Sequence, residues 1–179
     1  MKNLCLLFLL SLHQNISFAK SLDEVHLSAR SYLETSGYVH SWHPFPTLTG
    51  TSLDGKKMEL TVSETKVSVY IVTASWCIKC QNLTDYLKEI SNKFSPINTD
   101  FVYVFAHDTA QDALGFVKYY GIKNKTILAG SDILKELHNP PLPTILIADR
   151  NGWLLTRFER TSREDLDKLQ TLLQDLTVY

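Results

Sequence analysis

Val67-Ser-Val-Tyr-Ile-Val-Thr-Ala-Ser-Trp-Cys77-Ile-Lys-Cys80 is the stretch that decides the fold. Its first seven residues are mostly apolar, β-branched or aromatic, which predicts a strand buried on both faces. Four apolar residues then recur at the spacing of one helix face: Leu83, Leu87, Ile90 and Phe94. A second strand-like run follows at Phe101–Ala106. Strand, helix and strand of these lengths predict a βαβ unit with both cysteines at the start of its helix.

The Cys-x-x-Cys pair in this position is typical of a redox motif. An ordinary cysteine has a pKa near 8.5, so only about 3% of it is thiolate at pH 7. The unpaired N–H groups and positive dipole of a helix start favour the thiolate of Cys77, and Lys79 adds a nearby cation. Cys80 lies one helical turn deeper, so we expect it to be less exposed and to resolve a mixed disulfide. Ile78 and Lys79, between the cysteines, are expected to tune the redox properties.

Two other uses of the cysteines are weaker. A purely structural disulfide across two residues would close almost no loop and would restrict the unfolded chain little. A zinc site would need two further ligands, and the chain has no second Cys pair. His40 and His43 have ligand-like spacing, but we expect them in a solvated loop before the first strand. We therefore predict no metal site and no cofactor beyond the dithiol itself.

The composition is that of an ordinary globular protein. The chain has 179 residues, 44% of them hydrophobic, and a formal net charge of -1 from 18 basic and 19 acidic residues. That length suits one domain. A charge near zero gives no electrostatic reason to expect nucleic acid or an anionic membrane surface as a partner.

The first nineteen residues have the pattern of a signal peptide. Lys2 is followed by an apolar run at Leu4–Leu12 and by small residues around Ala19, where we expect cleavage. Nine residues span about 14 Å as a helix, too little for a hydrocarbon core of about 30 Å. We therefore expect a periplasmic or secreted protein with no stable membrane anchor after cleavage. Removal of residues 1–19 would also remove Cys5, leaving one pair in a compartment where disulfides persist.

The rest of the chain extends the βαβ unit into one α/β domain. We expect a lead-in segment at 20–42 and the domain at 43–179. An N-terminal hairpin is predicted from strands around Phe45–Leu53 and Lys57–Leu60, joined by Asp54-Gly55 as a two-residue turn with both φ angles positive. The later elements are predicted to be two helices, an antiparallel hairpin and a final helix: Ala110–Tyr119, Asp132–Leu137, Thr144–Ala148 with Trp153–Phe158, and a helix capped by Ser162. The order predicts a mixed central sheet with helices on both faces.

With Leu142-Pro143-Thr144 opening the later hairpin, the cysteine motif resembles the thioredoxin fold. The early hairpin and the extra helix are more specifically similar to exported thiol–disulfide oxidoreductases of the TlpA and ResA type, over roughly residues 43–176. The resemblance implies that Pro143 is cis and lies against the disulfide, that the Leu142 backbone pairs with substrate and that Trp76 shields the site. It also implies disulfide exchange with protein substrates, reduction as the favoured direction and a membrane electron donor or acceptor. We expect the protein to be a monomer.

Two positions depart from the family pattern. A buried aspartate that aids the resolving thiol in thioredoxin is replaced by Ile71, and a glutamate common three residues after the second cysteine of ResA-like proteins is replaced by Leu83. The proton acceptor for Cys80 is thus unassigned, and Ile78-Lys79 matches neither strong reductants nor strong oxidants. Two alternatives stay open: an oxidase or isomerase using the same pair, and a copper- or haem-assembly chaperone that binds a soft metal through the thiols.

Overall fold

The computed structural model describes residues 40–60 and 67–178. The expected signal peptide, 1–19, and the lead-in as far as residue 39 lie outside these residues. In the described part the strands, in chain order, are β1 His40–Pro44, β2 Leu48–Thr51, β3 Lys57–Leu60, β4 Val67–Thr73, β5 Thr99–Ala106, β6 Lys125–Ala129, β7 Thr144–Asp149 and β8 Trp153–Glu159. The helices are α1 Ile78–Phe94, α2 Ala110–Tyr120, α3 Ser131–Glu136 and α4 Arg163–Val178, with a 3-10 turn at Ser95–Ile97.

All eight described strands form one mixed sheet in the order β1-β8-β7-β4-β5-β6-β2-β3. Strands β4, β5 and β6 are parallel, whereas β7, β8, β1, β2 and β3 join by antiparallel pairs. The predicted βαβ unit is β4-α1-β5, and every residue of β4 is buried. The mixed α/β sheet expected from the sequence is therefore confirmed.

Helices cover both faces of this sheet. One face carries an apolar cluster that includes Tyr70 and Val72 from β4 together with Ile133 and Leu134 from α3. Because side chains alternate along a strand, the neighbouring residues of β4 point to the opposite face. Helices α1 and α4 contact each other and the central strands there, and they bury a row of apolar residues: Leu83, Leu87, Ile90, Phe94, Leu166, Leu169, Leu172 and Leu173.

The N-terminal hairpin is present, but its predicted turn is wrong. Strands β2 and β3 pair from Leu48↔Leu60 to Thr51↔Lys57, so the connection spans five residues rather than two. Gly55 has a φ of 83°, whereas Asp54 is absent from the described residues with positive φ. The Asp54 carboxylate instead accepts the Ser52 hydroxyl and pairs with Lys56 at 2.9 Å. These side-chain bonds stabilise the longer loop.

Two further strands differ from expectation. Residues 40–44 form β1, paired with β8, where the sequence suggested a loop before the first strand. Lys125–Ala129 forms β6, which was not predicted and which joins β5 to the N-terminal hairpin. β1 is a short strand at the edge of the sheet, and β6 begins with a lysine and a threonine. Neither strand has a strong alternating pattern, so pairing with neighbouring strands decides their structure.

Gly50 is expected to be indispensable for docking this hairpin on β6. A Cβ at Gly50 would lie 2.6 Å from Ile127 Cδ1 and 2.6 Å from the Leu128 carbonyl oxygen. Gly50→Ala should therefore lower the free energy of unfolding by about 1–3 kcal/mol in urea titrations. Gly115→Ala is the matched control, because a Cβ there meets nothing within 4 Å in helix α2 and should be neutral or stabilising. Equal stabilities of the two variants would contradict the close approach.

Candidate active site

Three chain segments meet at one end of the central strands. Strands β4 and β5 run parallel, with Thr73 opposite Phe105, so the residues that follow each strand lie side by side. Strand β7 runs antiparallel to β4, with Val72 opposite Thr144, which brings its start to the same end. The cysteine motif, the His107-Asp108 turn and the Leu142-Pro143 segment are thereby collected in one place.

Cys77 and Cys80 are joined by a disulfide, with their Cα atoms 5.2 Å apart. Cys77 is the N-cap of α1, and its Sγ accepts the backbone N–H of Cys80 at 3.2 Å. The Cys77 residue is 8% exposed and Cys80 is 2% exposed. The difference has the direction that the sequence predicts, but Cys77 is itself largely buried because the Leu142 side chain packs against the disulfide with Ala74.

Asp108 holds the turn that presents Cys77. Its carboxylate accepts the backbone N–H of Ser75 at 2.9 Å and also the Ser75 hydroxyl. The Gln81 side-chain amide donates to the Ser75 carbonyl at 2.7 Å, so helix α1 is hydrogen-bonded to the same residue. Ser75 is thus fixed by its N–H, its hydroxyl and its carbonyl, two residues before the first cysteine.

Removal of the Asp108 carboxylate should loosen this turn. Asp108→Ala leaves the part-buried N–H of Ser75 without its charged acceptor, which costs about 1.5–3 kcal/mol of stability. Urea unfolding monitored by tryptophan fluorescence measures this loss. Asp100→Ala, at the exposed opposite end of β5, is the control and should stay within about 0.5 kcal/mol of the wild type. A loss at Asp108 no larger than at Asp100 would contradict the assigned bond.

The Leu142–Pro143 peptide bond is cis, which is the conformation that the resemblance implied. The Pro143 carbonyl accepts the N–H of Thr161, and the Thr144 hydroxyl donates to the Pro141 carbonyl, so the segment is tied on both sides. The roles of Leu142 and Pro143 in contacting substrate stay predictions.

An apolar cleft of about 390 Å³ opens beside the disulfide. Cys77, His107 and Asn139 line the cleft together with six apolar residues: Trp76, Ala106, Leu134, Pro140, Pro141 and Leu142. Trp76 is 59% exposed and Ile78 is 72% exposed, so apolar surface flanks the disulfide on the solvent side. Lys79 is also exposed, whereas Pro143 is not among the residues that line the cleft.

A larger, more open groove of about 670 Å³ lies between α1 and the end of α2. Asn82, Tyr86 and Tyr119 are among its lining residues, and neither cysteine is. Its walls are predominantly polar, and the Cys77–Cys80 disulfide lies outside it. The smaller cleft is therefore the candidate active site.

The two positions where a carboxylate could have served Cys80 are apolar and buried. Ile71 is 1% exposed in β4, and Leu83 is 8% exposed on α1. Sequence reasoning correctly noted both replacements, but it missed His107 and Asp108. A signal for them was available, because both residues directly follow a strand predicted to neighbour the cysteine strand.

Within residues 40–60 and 67–178, no cluster of three or more His, Cys, Asp or Glu side chains is arranged to hold a metal ion. None of the helices in this described part has the length and apolar character needed to cross a membrane.

Comparison with known proteins supports the interpretation of the site. No family model matches the chain. It is 26% identical over 133 residues to the thiol-disulfide oxidoreductase ResA of Bacillus thuringiensis subsp. konkukian, covering 74% of this chain and 76% of that protein. ResA of Bacillus anthracis is 25% identical over the same coverage.

Solved structures agree on the fold. A secreted Mycobacterium tuberculosis disulfide oxidoreductase, homologous to Escherichia coli DsbE, superposes with a TM-score of 0.62 at 18% identity, covering 72% of this chain and 95% of that one. The thioredoxin domain of a Bacteroides vulgatus thiol-disulfide oxidoreductase gives a TM-score of 0.65 at 18% identity, covering 75% and 99%. The chain therefore has a thioredoxin-like fold, and its similarity to ResA, together with the Cys77–Cys80 disulfide at the start of α1, supports thiol–disulfide oxidoreductase activity.

Proposed function

We propose that this protein is exported and exchanges disulfides with protein substrates through Cys77 and Cys80, with reduction of the substrate as the favoured direction. The observation that carries the proposal is the position of Cys77. Its sulfur caps helix α1, is bonded to the deeper Cys80 and lines an apolar cleft.

The first step follows from this geometry. In the reduced protein the Cys77 thiolate attacks one sulfur of the partner disulfide, that S–S bond breaks, and the partner's other sulfur leaves with the electron pair. The helix start lowers the cost of the thiolate, because the Cys80 N–H already points at the Cys77 sulfur at 3.2 Å. The product is a mixed disulfide between Cys77 and the substrate.

Cys80 then completes the exchange. Its thiolate attacks Cys77 Sγ, the Cys77–Cys80 disulfide forms, and the substrate leaves as a dithiol. Burial of Cys80 at 2% exposure keeps it from external disulfides while leaving it within reach of Cys77. The apolar surface of Trp76, with Leu142 and Pro143 beside it, supports an extended substrate segment, and Ile78 and Lys79 face the same partner from the helix.

Export is supported by the signal-peptide pattern at 1–19 and by the secreted Mycobacterium tuberculosis relative. In that setting the protein works as a monomer in the periplasm or outside the cell. Each catalytic cycle leaves Cys77 and Cys80 joined as a disulfide, so continued reduction of substrates needs a membrane partner that supplies electrons. No bound cofactor is required in this scheme, because the dithiol carries both electrons.

A reduction potential measured against glutathione buffers tests the direction. A value near about -270 mV would support a reductant, and one near about -120 mV would instead indicate an oxidant. The same preparation should reduce insulin in the presence of dithiothreitol and a metal chelator. Stoichiometric Cu(I) binding without any disulfide exchange would contradict the proposal and favour the metal chaperone.

A further inference from the structure

His107 lies at the mouth of the cleft that Cys77 lines. It follows the last residue of β5, next to the end of β4 from which the cysteine motif continues. Both residues therefore line one small cavity, in the segments that follow two neighbouring parallel strands.

The backbone at His107 is fixed in an unusual conformation. Its φ is 60°, in the left-handed region that residues with a Cβ adopt rarely. The next residue, Asp108, accepts two hydrogen bonds from Ser75, which lies two residues before Cys77. These bonds couple the position of the His107 turn to that of the Cys77 turn.

Of the titratable residues around the cleft, His107 is the one that lines it together with Cys77. Among the nine residues that line the cleft, these two are the ones with side chains that titrate, the others being apolar residues and Asn139. The Asp108 carboxylate is directed to Ser75. Lys79 on α1 is exposed and does not line the cleft, nor do the exposed charged or titratable residues in and after α3: Asp132, Lys135, Glu136 and His138.

We propose that His107 is the proton partner of Cys77, a role that rests on the proposed function. In the reduced protein the Cys77 thiol gives its proton to the neutral imidazole, which produces a thiolate–imidazolium pair without a net change of protons. The thiolate attacks the substrate disulfide, that S–S bond breaks, and the departing sulfur takes the proton from the imidazolium. A neutral imidazole accepts a proton and an imidazolium donates one, so the same side chain serves both directions of this transfer.

The test is the pH dependence of Cys77 alkylation by iodoacetamide in the reduced full-length protein, followed by peptide mass analysis. His107→Asn removes the titrating ring, and asparagine tolerates the left-handed backbone. Because a nearby positive charge favours the thiolate, the variant should shift the alkylation midpoint of Cys77 upward by about one pH unit. The wild-type profile should show two steps and the variant profile one.

His138→Asn is the matched control, because His138 also has a φ of 60° and is exposed, but it does not line the cleft. Its alkylation profile should match that of the wild type. A His107→Asn profile identical to wild type would overturn the proposal. This readout needs no substrate protein, so an inactive wild type in the insulin assay would reject the proposed function without deciding the role of His107.

Discussion

Cys77→Ser should reduce insulin no faster than dithiothreitol alone, a loss of the whole catalysed rate. The hydroxyl that replaces the thiol does not ionise near neutral pH and cannot form the mixed disulfide. Cys80 remains in this variant, but it is 2% exposed beneath Cys77 and the Leu142 side chain. Turbidity of precipitating insulin chains measures the rate, and full activity in Cys77→Ser would contradict the assignment of the attacking sulfur.

Cys80→Ser should behave differently, because the attacker is retained and the resolver is lost. The variant should accumulate a covalent adduct between Cys77 and a peptide that carries a disulfide, visible as a mass increase removed by dithiothreitol. Cys5→Ser is the control and should leave both the rate and the adduct yield unchanged, since Cys5 lies in the segment expected to be removed. Adduct formation through Cys80 in the Cys77→Ser variant would reverse the two roles.

The central part of the fold was predictable because its signals are local and strong. The run Val67–Thr73 is short and rich in β-branched and aromatic residues, which favours a buried strand, and the helical spacing after Cys80 identifies the buried face of α1. The strands outside this central unit were harder to predict. β1 and β6 owe their structure to pairing with β8, β5 and β2, and that information is spread over distant parts of the chain.

The site was predictable only in part for the same reason. Cys77 and Cys80 form a motif in sequence, whereas His107 and Asp108 come within reach of it through the parallel pairing of β4 with β5. The prediction of the turn in the N-terminal hairpin was wrong for a local reason. The Asp54 carboxylate accepts a hydrogen bond from Ser52 and pairs with Lys56, and these contacts stabilise a five-residue loop. A two-residue turn would have required a positive φ at Asp54, which the structure does not show.

Leu83→Glu should accelerate the attack of Cys80 on a mixed disulfide. Leu83 is 8% exposed and lies three residues after Cys80 on the same face of α1, where a carboxylate could accept the thiol proton. Partial burial would raise the pKa of the new carboxyl toward neutrality, which suits a general base. Because a well-placed base contributes about 10²–10⁴-fold, even partial alignment should raise the resolution rate at least about tenfold.

Leu83→Gln is the control that shows whether a faster rate comes from the proton-accepting carboxylate or only from a more polar side chain. Both variants replace a buried apolar side chain, so both should lose stability, by about 1–3 kcal/mol. Only the glutamate should speed release of a labelled peptide from a preformed Cys77 mixed disulfide, and only above the pKa of its carboxyl. Equal release rates in the two variants would mean that Cys80 does not need a carboxylate at this position and that proton transfer to solvent already suffices.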